Sequence, residues 1–430
     1  MRGKPTLLAC WARAVLTFLA AMLMAAAAGA QSVAITGGRV FPVSGPPIDN
    51  ATVLIVDGKI AAVGAGVAVP AGVARIDARG HWVTPGLINA STRLGLVEIA
   101  MVEDTNDASA KGDRQVSAAF RSWDGLNPAS VLWGPARNAG ITSVVSLPGG
   151  GLIAGQAALV DTIGTDRQAM VRKAPVAMVA NLGEPAAGGT QARGEMLMRL
   201  RELLEDARAF ASRREAFENA GTRAFAVGRI HLEALAAVLA GRMPILASAD
   251  RATDIEAALD LAAEYKFRVI IHGGAEAWQV ADRLAKAGVP VLTGALGNIP
   301  SSFASLGSRQ ENAAILRKAG VPLVLIADQG ETFRARTIRQ HAGNAVAYGL
   351  PWDDALRAVT LAPAEVFGVA DAIGSLQVGR DGNVVVWDGD PFEFATRATH
   401  VLVRGRDART ASREDLLSER YKKRDVPRTP

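Results

Sequence analysis

From about Pro85 to Ala370 the chain alternates between two kinds of segment. Short apolar runs recur: ITSVVSLP (141–148), QAALVDTIG (156–164), APVAMVANL (174–182), MPILASAD (243–250), FRVIIHG (267–273), VPVLTG (289–294) and VPLVLIAD (321–328). Amphipathic stretches of helical period lie between several of them, such as RATDIEAALDLAAEYK, AEAWQVADRLAKAG and RQENAAILRKAG. Runs this short and apolar suit strands covered on both faces, and strands alternating with helices build a parallel sheet. The repeated Ala-Gly-Val-Pro (287–290 and 319–322) marks a helix end passing directly into a strand. With WVTPGLINA near position 86 there are eight runs, the number that closes a (β/α)8 barrel over 85–370. An open doubly wound sheet is the competing architecture.

The flanks read differently. From Val33 to Thr84, VAITGGRVFP, ATVLIVDGKIAAVG and ARIDARGHWV are β-branched runs broken by Gly, Pro, Asn and Asp, and Asp57-Gly58 is a strong hairpin signal. The same style returns in GSLQVGRDGNVVVWDGDP and HVLVRGR. Neither set can cover both its faces alone. The economical arrangement pairs them, giving a small β-sandwich domain composed of 31–84 and 371–408 around the barrel, with a basic tail over 409–430.

The first thirty residues form a separate unit. Arg2, Lys4 and Arg13 supply positive charge without an acid, an apolar run extends from Ala14 to Ala28, and Ala28-Gly29-Ala30 has the small-x-small form of a cleavage site. Residues 1–30 are therefore expected to be a signal peptide, with Gln31 opening a mature chain that is periplasmic or secreted. A retained anchor is the rival, but the run falls short of the roughly 20 residues a spanning helix needs. No membrane span is expected after cleavage. Cys10 is the only cysteine, and no apolar segment precedes it as a lipid-attachment signal requires. Cleavage after Ala30 leaves no thiol for a disulfide, nucleophile or metal site.

The net charge of +5 is an end effect. The leader carries three of those charges, and the tail from Arg404 onward holds nine Lys/Arg against five Asp/Glu, so the body between is slightly acidic. Nothing there resembles the basic face of a nucleic-acid-binding protein. No nucleic-acid partner is expected. The chain is compatible with a homo-oligomer.

In a (β/α)8 barrel the chemistry sits at the C-terminal strand ends. Those ends here read PGLINASTRLG after the first run, IIHGG after the sixth and LIADQG after the eighth. Together with GGRVF, VDGKIAAVG, PGGGLIAGQAALV, LTGALGNIPSSFASLGSRQENAAILRKAGVPLVLIAD and LRAVTLAPAEVFGVADAIGSLQVGRDGNVVVWDGDPF, the chain resembles the amidohydrolase superfamily, imidazolonepropionase-like branch, over nearly all of its mature length. The resemblance implies hydrolysis of C–N bonds in amides or cyclic amides, assisted by one or two divalent ions, usually zinc. A His-x-His pair after strand 1, a lysine or acid at strand 4, histidines at strands 5 and 6 and an aspartate at strand 8 hold the ions, and the aspartate also acts as base.

Carried over by position, that pattern is mostly substituted. The His-x-His pair falls on Ser91 and Arg93, the strand 4 ligand on Val179 and the strand 5 histidine on Ser248; only His272 and Asp328 match. A catalytic zinc needs about three protein ligands, so no metal is assigned and the ligand set is incomplete. Asp328, His272 and Arg93 are the expected catalytic residues, with Ser91, Val179 and Ser248 lining the cavity at former ligand positions. The Arg93 guanidinium is expected to occupy the metal's place and pair with Asp328, or else to face solvent. His81, His231, His341 and His400 are read as structural. The acids Glu98, Glu103, Asp104 and Asp107 are oxygen ligands for Ca2+ or Mg2+ in one reading and a solvated loop in the other. PGGGLIAGQ (148–156) lacks the Lys-Ser/Thr of a phosphate loop and reads as a close turn at the barrel mouth. Three functions remain: a C–N hydrolase with a degenerate metal site, a non-catalytic barrel binding a small ligand or partner at its mouth, and a hydrolase whose metal is rebuilt from the acidic loop.

Overall fold

The computed structural model describes residues 32–112, 115–183, 192–219, 221–296, 300, 302–327, 332–411 and 413–422. The expected signal peptide and Asp328 lie outside these residues. The chain begins with five strands of one sheet: β1 (Val33–Val40), β2 (Ile48–Val56), β3 (Lys59–Gly64), β4 (Ala74–Asp77) and β5 (Trp82–Pro85). Asp57 and Gly58 both have positive φ and join β2 to β3 in the tight turn that hairpin twist favours.

The run WVTPGLINA serves two sheets. After Pro85 the chain passes through Gly86, whose N–H bonds to Asn383 O at 2.9 Å, and enters the barrel as β6 (Leu87–Thr92). A Cβ on Gly86 would lie 2.2 Å from the Thr142 side chain, so only glycine permits this close crossing. The barrel continues through β7 (Ile141–Ser146), β8 (Ile153–Asp161), β9 (Val171–Asn181), β10 (Ile245–Ala249), β11 (Val269–Gly273), β12 (Val291–Thr293) and β13 (Leu323–Leu325), paired in that order. Three late strands, β14 (Val384–Trp387), β15 (Ala398–Val403) and β16 (Arg406–Asp407), return to the first sheet, where β14 pairs antiparallel with β5. Trp387 fixes the junction: its Nε1–H donates to Thr84 Oγ1 at 2.9 Å and its ring packs onto Gly140.

Seven barrel strands run parallel, whereas β8 runs antiparallel to both β7 and β9. The cause is loop length. Ser146 and Ile153 are separated by a short connection, and Asp161 and Val171 by one little longer, while a parallel crossover needs a dozen or more residues. A meander therefore replaces two helical crossovers. The pairing order ends at β6 and β13, and Asn89 draws these ends together: its Oδ1 accepts the Ala327 N–H at 3.4 Å and its Nδ2 donates to Ala335 O at 3.4 Å.

The barrel bore is filled by Ile88, Val145, Leu159, Val179, Leu246, Ile270, Leu292 and Val324, closed below by Phe367 and Ile373. Outward-facing partners such as Ile245, Ile271 and Leu323 pack under helices including Arg193–Ser212, Ala252–Tyr265 and Ile338–Ala347. Gly288 and Gly320, both at positive φ, close the helices where the Ala-Gly-Val-Pro repeats predict an end. Beneath the bore, buried Asp161 accepts from Ser143 Oγ at 2.9 Å and from Arg172 Nε and Nη2 at 2.9 and 2.8 Å, and it also pairs with Arg404. Arg172 reaches Asp381 at 2.6 Å, so barrel and β-domain share one buried ion network. Among the described residues no helix is long and apolar enough to cross a membrane.

Candidate active site

Four strands deliver side chains to a cavity of about 430 Å³ at the C-terminal mouth. On β6 the register against β7 steps from Asn89↔Val144 to Thr92↔Ser146, three residues against two. This bulge breaks the strand's alternation, and Ser91, Thr92 and Arg93 all line the cavity. The Ser91 N–H is held by Asn89 Oδ1 at 3.3 Å. On the far side, Asn181, Ser248 and His272 stand in register across β9, β10 and β11, which sets the three side by side.

His272 is the centre of the arrangement. Ser91 Oγ lies 2.8 Å from its Nε2 and Ser248 Oγ 3.2 Å from its Nδ1. The ring is 6% exposed. Burial, with a smaller contribution from the Arg93 cation, lowers its pKa to about 4, so the ring is neutral at ordinary pH. A neutral imidazole has one donor and one acceptor nitrogen, and each faces a hydroxyl able to take the complementary role.

Arg93 is partly buried, and desolvation pulls its guanidinium below its ordinary pKa. The group lies against Gly149 in the β7–β8 connection, where a Cβ would stand 2.6 Å from Nη2. The glycine-rich PGGG turn thus lines the cavity and makes room for the arginine. Val179 supplies an apolar wall and is 4% exposed.

The cavity brings together Ser91, Arg93, Val179, Ser248 and His272; Asp328 lies outside the described residues, so no pairing with Arg93 is described. Sequence reasoning missed Asp250 and Asn181, which line the same space. Asp250 Oδ1 accepts the Ala275 N–H at 3.2 Å, and Asn181 Nδ2 donates to Gly151 O at 2.6 Å. Asp250 was within reach of strand alternation, because it follows Ser248 by two residues.

The other histidines are engaged elsewhere. His231 accepts from the Ala119 N–H at 3.2 Å, His341 from the Ala295 N–H at 3.0 Å, and His400 faces Asp407 at 3.2 Å. His81 Nδ1 lies 3.0 Å from Arg79 O. In the acidic loop Glu98 accepts from Asn127 and Glu103 pairs with Lys111 at 3.5 Å. Among the described residues no three His, Cys, Asp or Glu side chains converge as a metal site.

The family model described as amidohydrolase family matches residues 279–411. Amidohydrolase tasK of Hapsidospora irregularis is 25% identical over 368 residues, covering 78% of this chain but 37% of its own. Imidazolonepropionase of Shewanella baltica is 31% identical over 93 residues, 21% of this chain and 23% of that protein. This chain thus matches well under half the length of either relative. Among solved structures, an amidohydrolase from Thermotoga maritima MSB8 superposes with a TM-score of 0.81 at 26% identity, covering 87% of this chain and 99% of its own. Molinate hydrolase shares the fold at 20% identity, with a TM-score of 0.55 over 94% of this chain and 97% of its own. Motifs, barrel and matched segments agree: residues 279–411 match the amidohydrolase family, and most of the chain shares the fold of the amidohydrolase from Thermotoga maritima.

Proposed function

We propose that this chain is an exported hydrolase that cleaves a C–N bond of a small amide or cyclic amide, with a depleted metal site or none. The observation that carries this reading is the convergence of Ser91, Arg93, Ser248 and His272 in one cavity, at the barrel end where chemistry is built. The names of the matched relatives point to the same reaction class.

At the positions the resemblance assigns to metal ligands stand two hydroxyls, a guanidinium and a valine, beside one imidazole whose nitrogens both face serines. Neutral hydroxyls bind zinc poorly, and a fixed cation repels it. Among the described residues no three His, Cys, Asp or Glu side chains converge to hold a divalent ion, and in this reading the side chains themselves carry the chemistry. Arg93 offers fixed donors to a substrate carboxylate or to the oxyanion that forms as the carbonyl is attacked. His272 moves protons, and in this reading Asp328 adds a carboxylate from the eighth strand.

The test is incubation of the chain from Gln31 onward with N-acyl amino acids and cyclic amides, with products followed by mass spectrometry before and after chelation. Turnover that survives EDTA is the expected result. The inert Val179 in the wall favours a second reading, a non-catalytic binding barrel. A ligand that raises the melting temperature without forming product would establish that reading instead.

A further inference from the structure

We infer that Ser91 is the nucleophile of this site and that hydrolysis passes through a covalent acyl-Ser91 intermediate, with His272 as its base and Ser248 as the positioning residue. The inference rests on the hydrolase reading above and names the atom that attacks.

A serine hydroxyl becomes nucleophilic when a base sits within hydrogen-bond reach and a third group orients that base. Both contacts are present. Ser91 Oγ is 2.8 Å from His272 Nε2, and Ser248 Oγ is 3.2 Å from Nδ1. When Nδ1–H donates to Ser248, the Nε2 lone pair points at the Ser91 hydroxyl. Ser91 is also fixed from behind, since its N–H is tied to Asn89 Oδ1. Arg93, two residues on, lines the same cavity with its guanidinium backed by Gly149. Nucleophile, base, orienting group and oxyanion donor therefore come from three strands and face one space.

The chemistry balances with water as the only co-reactant. Ser91 Oγ bonds to the amide carbon as its proton passes to His272 Nε2, and the carbonyl electron pair moves onto oxygen beside Arg93. The C–N bond then breaks, and the leaving nitrogen takes the proton from Nε2. Water attacks the ester, giving its proton to Nε2, and the Ser91 oxygen leaves with that proton restored. The Arg93 charge that opposes an imidazolium is offset as the oxyanion develops, so base and oxyanion donor act in the same step.

The alternative is that the two serines merely satisfy a buried imidazole. A fluorophosphonate probe separates the two, because it forms a stable bond only with an activated serine. The purified chain from Gln31 onward should be labelled once, on the peptide holding Ser91. Labelling should vanish in Ser91→Ala and slow by about 10²- to 10⁴-fold in His272→Ala. Amide turnover in Ser91→Ala should fall by about 10³-fold or more while its melting curve stays close to that of the parent. Ser248→Ala should slow labelling and Ser248→Thr should restore it. Absence of labelling, labelling on Ser248, or turnover retained in a folded Ser91→Ala would overturn the serine route. In the last case hydrolysis itself stands, with water as the attacking group; if the parent also fails to turn over any amide, the hydrolase reading falls as well.

Discussion

The guanidinium of Arg93 rests against the backbone of Gly149, so closely that a Cβ at 149 would lie 2.6 Å from Nη2 and 2.9 Å from Cζ. One strand end and the turn between two others are thus fitted to each other through a missing methyl group. Gly149→Ala should push the guanidinium from its place without unfolding the barrel. A displacement of about 1 Å at a reacting group costs on the order of 10²-fold in rate. Steady-state kinetics should show that loss, and Arg93→Ala should add little in the Gly149→Ala background, because both changes remove one interaction.

His272 gives stability a defined dependence on pH. Its folded pKa of about 4 lies below the unfolded value of 6.5, so the unfolded chain binds more protons between the two. Stability from this group is complete above about pH 6.5 and is lost as the pH falls toward 4, by up to about 3 kcal/mol. Urea denaturation at pH 7 and at pH 4.5 should show the difference, and His272→Gln should reduce it.

Asn89 should be costly to replace. It is fully buried, and its amide contacts Ala327, Ala335 and the Ser91 N–H across the barrel seam. Asn89→Ala leaves those backbone groups without this partner and should destabilise the fold by about 1–3 kcal/mol. Hydrogen exchange should report the loosening at Ala327 before it appears in distant strands.

Asp161 should matter more. Its carboxylate is buried among Arg172, Arg404 and Ser143. Asp161→Ala leaves Arg172 buried with only Asp381 opposite, and a loss of about 3–5 kcal/mol is expected from denaturant titration. The loss should depend little on added salt, because a buried pair is screened far less than one in solvent.

Export is tested directly by N-terminal sequencing of material from the periplasm or medium. The chain should begin at or within a few residues of Gln31. Recovery of intact Met1 in membranes would replace cleavage with an anchor.

Much of the barrel can be read from the sequence because parallel strands covered on both faces leave continuous apolar runs, as in FRVIIHG and VPLVLIAD. The direction of β8 was readable too. The run ending at Pro148 and the run beginning at Gln156 are too close for a crossover, and spacing alone implies a hairpin. Other features leave no local trace. The bulge that turns Ser91, Thr92 and Arg93 into one cavity depends on how β6 meets β7, and nothing in INASTR announces the extra residue. The Ser91–His272 contact joins positions 181 residues apart, and the Asp161–Arg404 pair spans 243. The resemblance located Ser91, Ser248 and His272 by position, but their hydrogen bonds to one another follow only from the closed barrel.

The pairing of β5 with β14 sets an order of events during synthesis. Pro85 leaves the ribosome long before Val384, with about 300 residues between them, which takes tens of seconds at roughly 5–20 residues per second. Throughout that interval β5 is the edge of an unfinished sheet, with hydrogen-bonding groups that another chain could pair with. The nascent protein therefore depends on whatever shields that edge until its own C-terminal strands arrive, and truncation before Val384 should yield aggregation-prone chains even when most of the barrel has been made.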